Sequence, residues 1–139
     1  MIFWLFMLLF VLMCPGTMVF FGRMFSRKPP DRINALFGYR STMSMKNTAT
    51  WTLAHQVCGR FWYRCGVVLL PVSAAAMLFV LGKSTEIVGT TGMVIVGVQM
   101  IPMVGVIVPT EWALRRTFDR NGLRKLSTDE EGQTEGGSK

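Results

Sequence analysis

The sequence has few of the side chains on which enzyme chemistry depends. It contains one histidine, three cysteines and eight acidic residues in 139 positions. No nucleophile–base pair and no pair of carboxylates stands at a useful spacing. The histidine, His55, falls on an apolar helical stripe with Trp51 and Cys58, where a packed residue is more common than a catalytic base. We therefore expect a protein without enzymatic activity.

Metal and disulfide chemistry are also poorly represented. The sequence has no CxxC or HxxxH spacing, so we expect no metal site and no cofactor. Cys58 and Cys65 stand on one predicted helix face and cannot easily bridge each other, and Cys14 belongs to another segment. Packing is the expected role of all three cysteines.

Charge is missing from three long stretches of the chain. No charged residue occurs in 1–22, 66–82 or 87–110, which are 22, 17 and 24 residues long. A helix needs about 20 apolar residues to cross the hydrocarbon core of a bilayer, whereas a soluble helix shows one apolar face. The sequence thus predicts an all-α membrane protein with three transmembrane helices. The first stretch lacks a basic start and a small-residue cleavage site, so we expect a permanent helix rather than a signal peptide.

The basic residues are distributed unevenly among the connecting segments. Eight Lys or Arg and one Asp lie in 23–65, five Lys or Arg and one Asp lie in 115–125, and the link at 83–86 has no net charge. Lys and Arg near the ends of membrane helices stay in the cytoplasm. The pattern predicts a multi-pass membrane protein with the N-terminus outside and with the 23–65 segment and the C-terminus in the cytoplasm. The membrane explains this charge, so nucleic acid is not an expected partner.

Three predicted helices and a tail account for the chain. The second helix begins as an amphipathic stripe and then becomes fully apolar, so its first half is expected at the membrane surface. The tail is acidic and rich in glycine, which predicts disorder. The predicted segments are one membrane domain over 1–125, with helices at about 2–24, 48–82 and 86–120, and a disordered tail over 126–139.

Individual residues set the predicted helix ends. Pro29-Pro30 cannot continue the first helix, and a short helical turn over 31–36 is expected to follow. Asn47 or Thr48 is expected to cap the second helix. Asn121-Gly122 is expected to stop the third.

Two polar side chains and three prolines fall inside the apolar stretches. Gln99 lies near the middle of the third stretch and Ser73 in the second, and a hydrogen bond between them would keep the amide away from lipid. Such a bond joins helices more often than it serves catalysis. Pro15, Pro71 and Pro102 each remove a backbone donor. These prolines either kink their helices in the ordinary way or line a polar cavity that opens to the cytoplasm.

A polar stretch between the first two helices has no helix or strand period. The stretch FGYRSTMSMKN, residues 37–47, mixes aromatic, basic, hydroxyl and thioether side chains. Glu111, at the inner boundary of the third helix, needs a cationic partner. That partner is Arg115, one turn further on, or Arg40, which together with Lys46 would form a polar lock and dock the stretch on the third helix.

The basic residues have two interpretations. They satisfy the rule that places positive charge inside and attract membrane lipids, anionic ones above all. Alternatively, some of them form a pocket for a phosphate-bearing lipid or an acidic peptide. No GxxxG motif indicates a tight helix dimer, and the oligomeric state stays open. The candidate binding residues are Tyr39, Arg40, Lys46, Asn47, Trp51, His55, Arg60, Arg64 and Glu111.

Two blocks of the sequence resemble the SdpI family of bacterial membrane proteins. The first block is Gly38-Tyr39-Arg40, then Ser44-Met45-Lys46-Asn47, Thr50-Trp51 and Ala54-His55, and the second is Pro109-Thr110-Glu111 with Phe118-Asp119 and Gly122. The resemblance extends over about 1–125. It implies a location in the bacterial cytoplasmic membrane and an immunity role, in which the protein protects a bacterium from a secreted peptide toxin and can hold a regulatory protein at the membrane.

Two functions follow as expectations. The resemblance favours an immunity or envelope-stress role, with a peptide toxin or a regulatory protein as partner. The basic stretch favours binding or transport of an anionic lipid or a phosphate head group.

Overall fold

The computed structural model describes residues 1–33 and 38–125, which contain four α-helices. Three segments are long and apolar enough to cross a membrane, and the third of them is Thr85–Thr117. The described residues contain no strand, only an isolated bridge between Phe118 and Arg124. The predicted all-α fold with three transmembrane helices is confirmed. The helices are α1 (Ile2–Arg27), α2 (Thr48–Phe79), α3 (Thr85–Gly105) and α4 (Ile107–Thr117).

Two predicted segments lie partly or wholly outside the described residues. Residues 34–36, half of the predicted turn at 31–36, and the whole predicted tail at 126–139 lie outside the described residues. The basic ends of the helices meet at one end of the bundle, because α1 finishes there, α2 starts there and α4 lies there. We call this the basic end.

The second helix begins at the predicted residue. Asn47 Oδ1 accepts a hydrogen bond from the Thr50 backbone N–H at 2.9 Å, and Thr50 Oγ1 accepts one from the Asn47 N–H at 3.1 Å. This reciprocal capping box satisfies two backbone donors at the helix start. The helix ends at Phe79, about one turn earlier than predicted, and Gly82 (φ +78°) lies in the turn that follows.

The third spanning segment is broken where one continuous helix was predicted. α3 ends at Gly105 and α4 starts after Val106. Pro109 has no N–H to donate to the Gly105 carbonyl, so the helical hydrogen-bond ladder fails at this point. Val106 keeps helical φ and ψ (−58° and −22°), so 85–117 remains one spanning segment whose hydrogen-bond ladder is interrupted at this residue.

The end of α4 also differs from the prediction. The helix finishes at Thr117, and the chain then makes a turn around Asp119. Asp119 Oδ1 accepts hydrogen bonds from the backbone N–H groups of Asn121 and Leu123, both at 2.8 Å. Gly122 has φ +81° within this turn, so it shapes the turn instead of stopping the helix.

Glycines bring α1 and α2 into backbone contact. A Cβ on Gly59 would lie 2.8 Å from the Gly22 carbonyl oxygen, and one on Gly66 would lie 3.0 Å from the Pro15 carbonyl oxygen. Gly22 in turn faces the backbone of Tyr63. Only residues without a side chain fit at this distance, so the two helices pack as closely as small residues allow in membranes.

The far end of the bundle is held by an apolar cluster from all three spanning segments. Met7 and Val11 from α1, Met77 from α2 and Val88 from α3 are buried together. The Trp4 indole N–H donates to the Met77 carbonyl oxygen at 2.8 Å. These contacts fix α3 against the α1–α2 pair.

The predicted hydrogen bond in the membrane interior is confirmed. Gln99 Nε2 donates to Ser73 Oγ at 2.7 Å, and both residues are buried. Gln99 Oε1 has no hydrogen-bond partner among the described residues. The bond joins α3 to α2 in the middle of the bundle.

Candidate functional site beneath the motif loop

Residues 38–47, which we call the motif loop, fold on themselves through two serines. Ser44 Oγ accepts the Ser41 N–H at 2.8 Å, and Ser41 Oγ accepts the Ser44 N–H at 3.1 Å. Ser44 Oγ also lies 3.1 Å from the Tyr39 carbonyl oxygen. Ser44 is fully buried, so short hydroxyl side chains give this segment a fixed shape without a helix or strand.

His55 holds the start of the motif loop. The Tyr39 backbone N–H donates to His55 Nε2 at 3.0 Å, and His55 Nδ1 lies 2.8 Å from the Trp51 carbonyl oxygen. Because Nε2 accepts, the ring is neutral, with its proton on Nδ1 and directed at that carbonyl. The rings of Phe25 and Trp51 pack on it at 5.0 and 4.2 Å between centroids. His55 is thus an anchor with both nitrogens occupied.

Two further contacts place the loop over the start of α2. Gly38 has φ +111°, and a Cβ at this position would collide with His55 Nε2, so glycine is required for both conformation and space. The Trp51 indole N–H donates to the Pro30 carbonyl oxygen at 2.9 Å. The chain is therefore tied to α2 before and within the motif loop.

Tyr39 and Glu111 dock the motif loop on α4. The Tyr39 hydroxyl donates to Glu111 Oε1 at 3.2 Å, and Arg115 Nε lies 3.9 Å from Glu111 Oε2. The predicted pairing of Glu111 with Arg115 is confirmed. Burial and the neighbouring Glu111 carboxylate raise the pKa of Tyr39, which keeps its hydroxyl protonated as a donor.

Beneath this contact lies a cavity of about 920 Å³. Its volume falls within the range of about 300–1,000 Å³ typical of small-molecule sites. Most of its lining is apolar and comes from α1, α2, α3 and α4, whereas the charged groups come from the motif loop and α4. The lining includes Phe25, Trp62, Met103 and Val104 on the apolar side, and Arg40, Glu111 and Arg115 on the polar side.

The remaining predicted site residues lie away from the cavity. Arg60 and Arg64 are exposed on α2, and neither lines it. Lys46 is exposed too, and its side chain lies beside Gly122 rather than beside Glu111. The Lys46 ammonium makes no hydrogen bond or ion pair within 1–33 and 38–125, so the predicted lock of Lys46 with Glu111 is wrong, and Tyr39 makes the contact instead.

Asn47 has a second role beyond its helix cap. Its Nδ2 donates to the Gly122 carbonyl oxygen at 2.6 Å, which attaches the turn after α4 to the start of α2. A Cβ on Gly122 would lie 2.9 Å from the same Nδ2. Gly122, in the second of the two sequence blocks described above, therefore contacts Asn47 in the first block.

The three prolines of the apolar stretches do not form the cavity. Pro15 is buried, while Pro71 is exposed on α2, and neither they nor Pro102 line the space beneath the motif loop. That these prolines kink their helices stays a prediction. Within the described residues, no group of three or more His, Cys, Asp or Glu side chains could hold a metal ion.

Sequence reasoning missed the apolar wall of the cavity. Phe25 and Trp62 lie among the basic residues of 23–65 and Met103 lies in an apolar stretch, so no common pattern singles out these three residues. Trp62 carries the only local signal, because a tryptophan in a membrane helix brings an N–H that needs an acceptor. Here that N–H donates to the Met103 carbonyl oxygen at 3.3 Å.

The fold and this site define a multi-pass helical membrane protein with a structured polar loop at one end of the bundle. The model of the SdpI/YfhL protein family matches residues 31–110, which is more than half of the chain. The chain belongs to this family. The match includes the motif loop, α2 and α3, and ends just before Glu111. Searches of curated proteins and of solved structures gave no match.

Proposed function

We propose that this chain is a non-enzymatic binding protein of the bacterial cytoplasmic membrane, with the motif loop in the cytoplasm. Its ligand is an amphiphile with a phosphate-bearing or other anionic head group. The cavity of about 920 Å³ beneath the motif loop carries this proposal. It combines an apolar floor between helices with Arg40 and Arg115 at its polar side.

Each part of the cavity suits one part of such a ligand. Phe25, Trp62 and Met103 offer an apolar surface at the level where membrane helices emerge from the bilayer. Guanidinium groups bind phosphate and carboxylate groups in a fork geometry that lysine lacks. The ligand would lie with its chain against the floor and its head group near the arginines.

Native mass spectrometry of the purified protein tests the proposal. The wild-type protein should retain phospholipid, and Arg40→Ala or Arg115→Ala should lose most of it. Arg60→Ala and Arg64→Ala are matched controls, because they remove an exposed arginine of the basic end that does not line the cavity. Equal loss from all four variants would mean that the arginines act only through general attraction to lipid.

Toxin immunity is the second candidate, favoured by membership of the SdpI/YfhL family. In this role the motif loop or the cavity would contact an amphipathic peptide toxin or a regulatory protein. A bacterium that expresses the chain should survive a panel of secreted membrane-active peptides better than one that carries an empty vector. Protection should require Arg40 and should survive removal of 127–139. Equal survival with and without the chain would contradict this role.

A further inference from the structure

Glu111 is an unexpected residue in a cavity for an anionic ligand. The side chain is 23% exposed and lines the cavity beside two arginines. A carboxylate so close to a bound phosphate would repel it, because a partly buried site screens charge less than bulk water does. A cavity for an anion alone would bind it more tightly without the carboxylate of Glu111.

The contacts of Glu111 within the described residues leave acceptor capacity on its carboxylate. A carboxylate has about four lone-pair sites. Here one oxygen accepts from the Tyr39 hydroxyl at 3.2 Å, and the other lies 3.9 Å from Arg115 Nε. The second distance is beyond hydrogen-bond range, and the Arg115 side chain is 76% exposed, so this ion pair contributes little.

We propose that the head group of the ligand carries an ammonium beside its phosphate, as in an aminophospholipid. The ammonium would donate to Glu111, and the phosphate would be bound by Arg40 and Arg115. This inference rests on the proposed function, and it narrows the ligand from phosphate-bearing or other anionic head groups to phosphate-bearing head groups that also carry an amine. The Tyr39 hydroxyl holds the carboxylate in position before the ligand arrives.

The charges on the cavity lining agree with a head group of both signs. Two guanidinium groups and one carboxylate face the cavity from the motif loop and α4. A phosphate with an attached ammonium presents the complementary set of charges. A glycerol head group of the same size would leave Glu111 without a cation from the ligand.

Competition between two lipids tests this inference. The purified wild-type protein is mixed with equal amounts of phosphatidylethanolamine and phosphatidylglycerol of matched acyl chains, and retained lipid is measured by native mass spectrometry. We expect a preference for phosphatidylethanolamine on the order of ten-fold, the effect of one charge-assisted hydrogen bond. Glu111→Gln should reduce the preference to near unity. The glutamine retains an oxygen that can accept from Tyr39.

Each outcome of the competition has a separate meaning. Equal retention of both lipids by the wild-type protein, or a preference for phosphatidylglycerol, overturns the inference while the proposed function stands. If Arg40→Ala and Arg115→Ala retain as much lipid as the wild-type protein, the proposed function itself is overturned. The wild-type ratio does not depend on how well any variant folds.

A further arm separates a lipid from a free head group. Phosphoethanolamine without acyl chains is added in excess to the protein that has retained phosphatidylethanolamine. Retention of the lipid is expected, because the apolar floor contributes to binding. Full displacement by phosphoethanolamine would show that a soluble phosphate compound occupies the site and would overturn the lipid assignment.

Discussion

Gly59→Ala tests how far the bundle depends on backbone contact between α1 and α2. The added Cβ would lie 2.6 Å from the Ser26 backbone nitrogen and 2.8 Å from the Gly22 carbonyl oxygen. These are backbone atoms, so no rotamer change relieves the overlap, and α1 must move away from α2. Phe25 also lies at this contact, so the displacement should reach the floor of the cavity.

The expected size of the effect follows from overpacking. An extra methyl group in a well-packed interior costs about 1–3 kcal/mol. A higher helix propensity offsets part of this, because alanine is favoured over glycine by about 1 kcal/mol in a helix. Gly97→Ala makes the same chemical change in α3, where nothing lies within 4 Å of the new Cβ, so the difference between the two variants isolates the contact.

Reversible unfolding in mixed micelles with increasing dodecyl sulfate, followed by circular dichroism, measures both free energies of unfolding. Gly59→Ala should be less stable than Gly97→Ala by about 1–3 kcal/mol. It should also retain less lipid in native mass spectrometry. If the two variants agree within about 0.5 kcal/mol, the spread of ordinary surface substitutions, the close contact of α1 with α2 is not a source of stability.

Three further predictions concern single interactions. A double-mutant cycle of Gln99→Leu and Ser73→Ala should give a coupling energy of about 0.6–1.7 kcal/mol in the same unfolding assay, and a value near zero would deny the bond. Burial and Glu111 raise the pKa of Tyr39. The hydrogen bond from the Tyr39 hydroxyl to Glu111 therefore contributes its full stability below about pH 10, and this stability is lost as the pH rises through the raised pKa of Tyr39. Tyr39→Phe should remove this alkaline loss of stability. Gly122→Ala should lower the free energy of unfolding by about 1–2 kcal/mol, because φ is +81° at this residue. An unchanged free energy of unfolding would contradict the importance of this left-handed residue in the turn.

The spans and the start of α2 could be predicted from the sequence because single-residue properties decide them. Uninterrupted apolar stretches of membrane length have few other solutions, and Asn47 with Thr50 is a local capping pattern. The Gln99–Ser73 bond was predictable for a related reason, since an isolated amide in hydrocarbon must find a partner. Such features need no knowledge of how the helices are arranged.

Features that depend on two distant segments could not be predicted in the same way. Gly59 and Gly66 are seven residues apart, two helical turns, and their importance appears only when Gly22 of α1 is placed against them. The docking of Tyr39 on Glu111 depends on the position of α4 beside the motif loop and on the fixed shape of that loop. A search restricted to charged partners for Glu111 overlooks a tyrosine hydroxyl.

One side chain, Asn47, joins three parts of the chain. Its side-chain oxygen accepts a hydrogen bond from the first turn of α2, and its side-chain nitrogen donates to the Gly122 carbonyl oxygen at 2.6 Å. A force applied through the residues that follow 125 would therefore be transmitted to the head of the second spanning helix as well as along α4. Asn47 also ends the motif loop, so a displacement of the turn at 119–123 would reach the loop through this one side chain.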